Sequence, residues 1–219
     1  KSPSSRCANR CRTLSAPNLY VVAAPSGGGK TSLISALLER DPATRLSVSH
    51  TTREPRPRET DGVHYHFVSE TEFDELARAG QFLEHARVFG HRYGTGRAAV
   101  ERQLEQGFNV ILDIDWQGAR QVRESFPACC TIFIVPPSIA ELHRRLAARG
   151  QDEPAVIERR MREARSEISH WKEFDHVIVN DEFEDALADL ESIIHTGHPG
   201  RADATARTAE ILAELLRNG

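Results

Sequence analysis

The sequence predicts an α/β protein with a mainly parallel sheet flanked by helices. Short runs of apolar, strand-forming residues recur along the chain, and segments with helical periodicity lie between or after them. This alternation is typical of a parallel sheet whose crossover helices cover its faces. The predicted strands span residues 19–23, 110–114, 131–135 and 176–179. A chain of 219 residues is long enough for one compact unit with insertions.

A phosphate-binding loop is predicted directly after the first strand. Residues 24–31 read APSGGGKT, and apolar residues recur at helical spacing after them. Closely spaced glycines let backbone N–H groups converge on phosphate oxygens, and the helix adds its positive N-terminal end. Lys30 can reach the terminal phosphates of a nucleoside triphosphate, and Thr31 would hold a magnesium ion. A glycine-rich connector with an incidental lysine is the alternative, but strand, loop and helix follow in the order that phosphate binding requires.

The first position of this loop departs from the usual pattern. The pattern GxxxxGK[ST] begins with glycine, whereas this chain has Ala24. We expect that the turn at Ala24 needs no positive φ, because a single methyl group is the smallest intrusion a side chain can make.

A separate subdomain is expected at residues 48–98. This insertion is richer in Arg, His, Thr and aromatic residues than the segments on either side. Residues 63–68 have strand-like alternation, and Ser69 with Glu72 forms a capping box for a helix that ends near Gly80.

Three arginines lie close together on one loop of this insertion. Residues 49–58 place Arg53, Arg56 and Arg58 on a segment that two prolines stiffen. The planar guanidinium suits a phosphate group, and proline lowers the ordering cost of the loop. A basic loop alone is more often solvated surface. Beside a phosphate-binding loop, it indicates transfer of a phosphoryl group between two nucleotides.

Two aspartates lie at the end of the second predicted strand. Asp113 and Asp115 are delivered to the carboxyl edge of the parallel sheet, where ligands bind in open α/β folds. Asp113 is expected to act on magnesium, directly or through water. A metal-dependent sugar transferase of the DxD type and a purely structural ion pair are the alternatives for these aspartates.

A pair of helices is predicted after the two prolines at 136–137. Ser138 and Glu141 form a second capping box, and this helix is expected to run to residues 149–150. Pro154 opens a strongly charged helix that reaches about residue 170. The helical pair at residues 138–170 is well placed to act as a lid.

The remaining chain completes the expected domain of residues 18–200. An amphipathic helix begins near residue 182, a Gly/Pro break lies at 197–200, and residues 201–219 hold a last helix. The core is expected to consist of residues 18–47, 99–137 and 171–200.

Charge and cysteine content limit the classes of function. Lys and Arg number 28 against 32 Asp and Glu, so sequence-independent binding of nucleic acid or of an anionic membrane is not expected. No apolar stretch approaches the ~20 residues that span a bilayer, and we expect a soluble protein. Four cysteines, two of them adjacent, form no disulfide framework in a chain of this size, so a cytoplasmic location fits best. Association into a homo-oligomer stays open.

Residues 1–17 differ in composition from the rest of the chain. They contain four basic residues among serines and no acidic residue. A transit peptide has this composition, but no clear apolar helical face accompanies the arginines. We favour a disordered basic tail, or translated sequence upstream of the true start, and expect it to lie outside the fold.

Seven separated motifs resemble those of guanylate kinase, in its bacterial form, over residues 19–195. They are APSGGGKT at 24–31, SVSHTTREPRPRE at 47–59, GVHYHFV at 62–68, FLEHARVFGHRYGT at 82–95, ILDIDWQGA at 111–119, RRLAARGQD at 144–152 and VIVND at 177–181. The resemblance implies a P-loop nucleoside monophosphate kinase fold with an inserted GMP-binding subdomain and a helical lid. It also implies that the γ-phosphate of ATP is transferred to GMP, and to dGMP, with Mg²⁺ as cofactor. The small-molecule partners that it implies are ATP and GMP.

The resemblance further implies roles for individual residues. The GMP phosphate would be held by Ser49, Arg53, Arg56, Tyr65 and Tyr93, and guanine by Glu84, Thr95 and Asp115, with Asp113 beside them. ATP would be held by Ala24, Pro25, Ser26, Gly27, Gly28, Gly29, Lys30, Thr31 and Ser32, with Asn180 and Asp181 near the adenine. Arg145, Arg149 and Arg160 would face ATP from the lid and act in catalysis with Lys30 and Arg53, while Thr31 and Asp113 would hold the metal. A carboxylate can accept from both the ring N–H and the exocyclic amine of guanine, an edge that adenine does not offer.

Two positions depart from the family pattern. Arg58 and Arg92 stand where relatives often carry glycine and an aromatic residue, respectively, and surface positions are expected for both.

Three other readings compete with a guanylate kinase. Kinase-dead guanylate kinase-like domains bind peptides but lose the phosphate loop, which is present here. A related kinase that phosphorylates another acceptor, such as a phosphorylated sugar, is disfavoured by Tyr65, Glu84 and Tyr93. A GTPase switch would need an NKxD element, which is absent from the sequence.

Overall fold

Strands and helices alternate along most of the chain. The structure is a computed structural model, and it describes residues 18–88, 90–148, 154–200 and 204–217. In chain order the elements are β1 (Leu19–Ala23), α1 (Lys30–Arg40), β2 (Thr44–Leu46), β3 (His50–Thr51), β4 (His66–Phe67), α2 (Glu70–Arg78), β5 (Phe82–Val88), β6 (His91–Gly96), α3 (Arg97–Glu105), β7 (Asn109–Asp113), α4 (Trp116–Ser125), β8 (Cys130–Val135), α5 (Ile139–Ala147), α6 (Pro154–Ile168), a 3₁₀ turn (Trp171–Glu173), β9 (His176–Val179), α7 (Phe183–Thr196) and α8 (Ala204–Arg217).

The central sheet has five parallel strands in the order β2, β7, β1, β8, β9. Tyr20 in β1 is aligned with Ile111 of β7 on one side and with Cys130 of β8 on the other. Central strands of parallel sheets are buried on both faces, and all five residues of β1 are buried. Because the strands run in one direction, the loop after β1 and the aspartates after β7 lie at the same edge of the sheet.

Helices cover both faces of the central sheet. On one face α1 packs against α7, and Leu33, Leu37 and Leu190 are fully buried there. The opposite face is covered by α4, α5, α6 and α8, whose buried residues form one cluster with the strands. These two clusters make the core of the described structure. Within the described segments, no helix is long and apolar enough to cross a membrane.

Residues 50–96 form a second sheet with the strand order β4, β3, β6, β5. β5 and β6 form an antiparallel hairpin, and β3 pairs with β6 antiparallel and with β4 parallel. Phe73 of α2 is fully buried and lies against Phe82, with ring centroids 4.6 Å apart. The sheet is joined to the core where Gln121 of α4 exchanges hydrogen bonds of 3.1 and 2.9 Å with the backbone of His85.

The four predicted strands are confirmed, with ends that differ by at most one residue. Both predicted helix caps are confirmed, because Ser69 Oγ accepts from Glu72 N and Ser138 Oγ accepts from Glu141 N. The helices predicted near residues 154, 182 and 201 are also present as α6, α7 and α8. The predicted end of α5 at residues 149–150, and the basic tail at 1–17, lie outside the described residues.

The predicted strand at residues 63–68 is wrong except for His66–Phe67. The N–H groups of Val63 and His64 both donate to Thr60 O, so this part of the segment is a turn. Asp61 Oδ1 then accepts from Phe67 N and holds the turn against β4. Strands β2, β3, β5 and β6 were not predicted. Of these, β2 and β3 have only three and two residues, too few to show a periodicity.

Candidate active site

The phosphate-binding loop is shaped by glycines at two points. Gly27 and Gly29 have φ values of 87° and 91°, a region that side chains rarely adopt. Gly28 N donates to Pro25 O at 2.9 Å and closes the turn. Among the described residues other than glycine, only Arg58 has a positive φ. The expectation that Ala24 needs none is therefore confirmed.

The loop is held from behind by two elements. A Cβ on Gly27 would lie 3.0 Å from Leu142 Cδ1, so α5 packs directly on the loop. Asn180 Nδ2 donates to Gly28 O at 2.9 Å from the end of β9, and its side chain is buried. The hydrogen bond from Asn180 thus helps to fix the position of the loop.

Lys30 extends from the loop to the edge of the sheet. Its Nζ lies 2.5 Å from Asp113 Oδ1 and donates to Ile114 O at 2.9 Å. The two side chains are 18% and 26% exposed, so the ion pair is accessible from the cavity in front of the loop. Thr31 follows on the first turn of α1 and is exposed.

The residues at this edge fit a magnesium ion that is bound together with phosphates. Magnesium usually keeps several waters and takes one or two protein ligands beside substrate phosphates. Thr31 and Asp113, the predicted ligands, supply a hydroxyl and a carboxylate at the wall of the same cavity. In the part of the chain that the structure describes, no group of three or more His, Cys, Asp and Glu side chains is arranged to hold a metal by itself.

Two carboxylates, those of Glu84 and Asp115, line the same cavity as the loop. Glu84 in β5 is only 3% exposed, and its Oε1 accepts from Thr95 Oγ1 at 2.6 Å. Burial raises the pKa of Glu84 to about 7, with the Thr95 hydrogen bond opposing and the charge of Asp115 adding to the rise. Asp115 caps α4, where it accepts from Gly118 N at 2.9 Å and from Gln117 Nε2 at 2.8 Å. Both carboxylates keep acceptor capacity toward the cavity.

Two tyrosines form the aromatic wall of the second sheet. The rings of Tyr65 and Tyr93 meet edge to face with centroids 5.9 Å apart. Burial raises the pKa of Tyr65 to about 12, so its hydroxyl stays a hydrogen-bond donor at neutral pH. Ser49 and Arg56 line the cavity beside them.

Arg53 lies near this wall but is held by acidic and carbonyl oxygens. Its Nη2 is 2.9 Å from both carboxylate oxygens of Glu59, and its Nη1 donates to Glu54 O at 2.7 Å. The guanidinium also lies over the Tyr65 ring at 5.5 Å. Arg53 is not among the residues that line the cavity.

The lid arginines are placed differently from one another. Arg145 Nε donates a hydrogen bond to Glu141 Oε1 at 2.6 Å, and its Nη2 donates to Asn180 O at 2.8 Å. Its Nη1 is buried without a hydrogen-bond partner among the described residues, near the phosphate loop at Gly29. An unpartnered guanidinium N–H at this position suits an anionic group. Arg160 is half-buried on α6, and Arg149 lies outside the described residues.

Asp181 lies on the outer surface after β9. It pairs with Arg207 of α8, and neither Asp181 nor Asn180 lines the cavity. Their contacts with adenine stay a prediction.

Glu167 is a cavity residue that the sequence did not reveal. Its Oε2 accepts from Ser26 N in the phosphate loop at 3.0 Å, and it comes from the last turn of α6. Burial raises its pKa to about 7. Glu167 is one of several glutamates in a strongly charged helix, and its spacing carries no signal that sets it apart.

One cavity of about 300 Å³ connects these groups. It extends from the phosphate loop, past the Lys30 and Asp113 pair, to Glu84 and the tyrosines. The predicted site residues that line it are Ala24, Pro25, Ser26, Gly27, Gly28, Gly29, Lys30, Thr31, Ser32, Ser49, Arg56, Tyr65, Glu84, Tyr93, Asp113 and Asp115. Of the others that the structure describes, Thr95 holds Glu84 from behind, while Arg53, Arg145, Arg160, Asn180 and Asp181 are not part of the cavity wall.

Comparison with known proteins shows the family of this chain. A family model described as guanylate kinase matches residues 16–197. Guanylate kinase from Alkalilimnicola ehrlichii is 59% identical over 200 residues, which cover 91% of this chain and 97% of the relative. Guanylate kinase from Aliivibrio fischeri is 55% identical over 205 residues, covering 93% and 99%. The crystal structure of guanylate kinase from Anaplasma phagocytophilum is 33% identical and covers 92% of this chain and 97% of its own, with a TM-score of 0.71. The predicted fold class is thus confirmed, and the chain belongs to the guanylate kinase family.

Proposed function

We propose that this protein transfers the γ-phosphate of ATP to GMP, giving ADP and GDP, with magnesium as cofactor. The observation that carries the proposal is the single cavity that joins the phosphate loop to the buried Glu84 and to Asp115. An anion site and a pair of carboxylates on the walls of one cavity suit two nucleotides whose phosphates meet between them.

The phosphate loop and Lys30 bind the donor. Backbone N–H groups of the loop surround the β-phosphate, and the Lys30 ammonium turns from Asp113 toward the γ-phosphate. The buried Nη1 of Arg145 gains its missing acceptor when the triphosphate is present. Thr31 and Asp113 would hold a magnesium ion together with the phosphates, and the ion would supply further positive charge at the transferred group.

Glu84 and Asp115 select the acceptor base. Each carboxylate accepts hydrogen bonds from the donor edge of guanine, which carries the ring N–H and the exocyclic amine. Adenine has no ring N–H at this edge, so it would leave oxygens of the buried Glu84 without a donor, and such unpaired groups oppose binding strongly. Ser49, Arg56, Tyr65 and Tyr93 hold the GMP phosphate at the middle of the cavity.

The reaction needs no nucleophilic side chain. A phosphate oxygen of GMP attacks the γ-phosphorus in line with the leaving oxygen of ADP, so the chain contributes positioning and charge neutralisation. Lys30, Arg56 and Arg145 supply the positive charge, and closure of the lid over ATP excludes water from the γ-phosphate.

An acceptor screen tests this proposal. ADP production is measured with ATP and magnesium in the presence of GMP, dGMP, AMP, CMP or UMP, and without an acceptor. Rapid turnover confined to GMP and dGMP is the expected result. Turnover without an acceptor would make the protein an ATPase, and turnover with AMP equal to that with GMP would contradict the roles of Glu84 and Asp115.

We also infer a cytoplasmic location for the enzyme. This inference rests on the absence of a disulfide framework in the sequence, and the two described cysteines, Cys129 and Cys130, are buried.

A further inference from the structure

Gly118 lies directly against the base-binding carboxylates. It is the third residue of α4, and it is buried. A Cβ at this position would lie 2.4 Å from Glu84 Oε2, 3.0 Å from Glu84 Cδ and 3.2 Å from Ile114 Cδ1. Its φ is not in the left-handed region, so the backbone itself would accept alanine. The requirement for glycine here is a requirement for space.

Glu84 cannot yield this space without changing the site. Its carboxylate is 3% exposed and its Oε1 is fixed by Thr95 Oγ1 at 2.6 Å. A methyl group at residue 118 would break the hydrogen bond with Thr95 or push the carboxylate into the cavity that it lines. Any other rearrangement would have to move neighbouring side chains in a tightly packed protein interior, and this would cost stability.

The backbone of the same residue orients the second carboxylate. Gly118 N donates to Asp115 Oδ1 at 2.9 Å, and Gln117 Nε2 donates to Asp115 Oδ2 at 2.8 Å. The lack of a side chain at Gly118 thus leaves space for Glu84, and the N–H group of Gly118 binds Asp115. A glycine within a helix is less favourable than alanine, so stability alone would not select it at this position.

We propose that Gly118 is a positioning residue that determines the base selectivity of the acceptor site, because it leaves room for the Glu84 carboxylate beside Asp115. This inference rests on the proposed function, in which these two carboxylates bind guanine. Gly118 does not line the cavity and acts through Glu84.

The variant Gly118→Ala tests the inference by separating acceptor binding from donor binding. The KM for GMP is expected to rise by roughly 10- to 100-fold, because a buried carboxylate and its partners lose their pairing. The KM for ATP is expected to stay close to wild type. The ratio of kcat/KM for GMP to that for AMP is expected to fall with GMP affinity. An unchanged KM for GMP would overturn the inference.

Gly96→Ala provides a matched control. Gly96 ends β6 with a φ of −67°, and a Cβ there would lie 3.5 Å from His50 Cε1, an ordinary contact distance. Its KM for GMP is expected to remain that of the wild type. An equal rise in this variant would mean that any added methyl group in this region weakens GMP binding, and the inference would fail.

Glu84→Ala and the double variant separate this inference from the proposed function. If Glu84→Ala leaves the KM for GMP unchanged, the assignment of Glu84 to guanine is wrong and the inference falls with it. If Glu84→Ala weakens GMP binding and Gly118→Ala does not, only the inference is wrong. When Gly118→Ala is added to Glu84→Ala, little further loss is expected, whereas fully additive losses would show that Gly118 acts elsewhere.

Folding of the variants is itself informative. If Gly118→Ala alone did not fold, the double variant with Glu84→Ala should fold, because the carboxylate that the methyl group meets is then absent. A double variant that also fails to fold would place the conflict at Ile114 and overturn the inference.

Discussion

Burial changes the acid–base properties of two glutamates in the cavity. Both Glu84 and Glu167 have a pKa raised to about 7 from an ordinary value of 4.5, chiefly because they are removed from water. A carboxylate that is costly to bury is retained where it can bind a ligand, and this is a physical reason to expect function at Glu84.

Glu84→Gln is expected to stabilise the protein at alkaline pH. The folded pKa of Glu84 lies above its unfolded value, so between about pH 4.5 and 7 the folded state binds more protons, and the unfolding free energy falls as pH rises. Glutamine keeps an acceptor for Thr95 but cannot ionise. Above pH 7 the unfolding free energy of the variant should therefore exceed that of the wild type by at most roughly 3 kcal/mol. Near pH 4.5 the two unfolding free energies should differ little.

Urea unfolding at pH 5 and pH 8 measures this difference. The same variant is expected to lose most of its activity with GMP, because an amide presents a donor to guanine where the carboxylate presents an acceptor. A stability difference that is equal at the two pH values would contradict the raised pKa of Glu84.

Lys30→Ala is expected to remove turnover with little loss of folding. The Lys30 ammonium is the cation of the phosphate loop that faces the cavity, so kcat should fall by at least roughly 100-fold. Lys172→Ala is a suitable control, since Lys172 is exposed and lies outside the cavity. Measured kcat and circular dichroism of both variants test the prediction, and near-normal turnover of Lys30→Ala would show that the phosphate-loop assignment is wrong.

The two departures from the family pattern have different structural consequences. Arg58 adopts a φ of 78°, the left-handed conformation that favours glycine, which is the residue that the family pattern leads us to expect there. Arg92 is not a free surface residue, because it pairs with Asp74 and its guanidinium lies over the Phe73 ring at 4.3 Å. The side chain of Arg92 is 19% exposed and that of Asp74 is 50% exposed, so this ion pair lies at the surface of the second sheet.

At the scale of elements, α6 connects the lid to the phosphate loop. Met161, Ala164 and Ile168 are buried in the main core cluster, so the second half of this helix packs on the central sheet. Glu167 lies on that half and bonds Ser26 N. The lid that was predicted at residues 138–170 therefore includes segments with core packing, because Leu142 and Leu146 of α5 are fully buried in the same cluster.

Glu167→Gln is expected to bind ATP more tightly than wild type at pH 8. The triphosphate brings negative charge to a loop where Glu167 is already present, and the other charged groups that face this carboxylate are Lys30, Asp115 and Glu163. Removing one negative charge near the phosphates should strengthen binding roughly fivefold, the effect of about 1 kcal/mol. Below pH 7 the wild-type carboxyl group takes up a proton, so the advantage of the variant should shrink at pH 6.

Isothermal titration of ATP at both pH values checks this expectation. Comparing the two proteins at the same pH cancels the titration of ATP itself. Glu158→Gln, an exposed change on the same helix, should bind ATP like the wild type at both pH values. Weaker ATP binding by Glu167→Gln would show that the carboxylate supports the loop rather than opposing the phosphates.

At the scale of the whole molecule, α8 belongs to the main core although the family model ends at residue 197. Leu212 and Leu215 of α8 are buried in the same cluster as Phe133 of the central sheet. The helix also contacts α6, which belongs to the predicted lid, and β9 of the central sheet. It thus packs against both elements.

Two adjacent leucines of α8 allow a sharp test of this packing. Leu215 is fully buried and Leu216 is 39% exposed. Leu215→Ala is expected to lower the unfolding free energy by about 2–5 kcal/mol, because it removes core contacts and leaves a cavity. Leu216→Ala should change it by no more than about 0.5 kcal/mol. Similar losses in the two variants, measured by urea unfolding, would mean that α8 is not packed as described.

The sequence by itself determined the local elements and the main chemistry of the site. Strands with continuous apolar runs, capping boxes and the phosphate loop are set by neighbouring residues, and each was predicted within a residue or two. Glu84, Asp113 and Asp115 were found because they belong to recognisable motifs. Only the tertiary structure decided which of the predicted residues share one cavity, because that depends on the order of strands and on the position of the second sheet.

Contacts between segments distant in sequence account for what the sequence could not reveal. Glu167 and Ser26 form a hydrogen bond although 141 positions separate them in the sequence. Asn180 and Gly28 do the same at a separation of 152. Arg53 is held by Glu59 and is not part of the cavity wall. The role of Gly118 in α4 likewise depends on the position of Glu84 in β5. Burial, close approach and pairing are properties of the folded chain, so they could be known only once packing had brought these residues together.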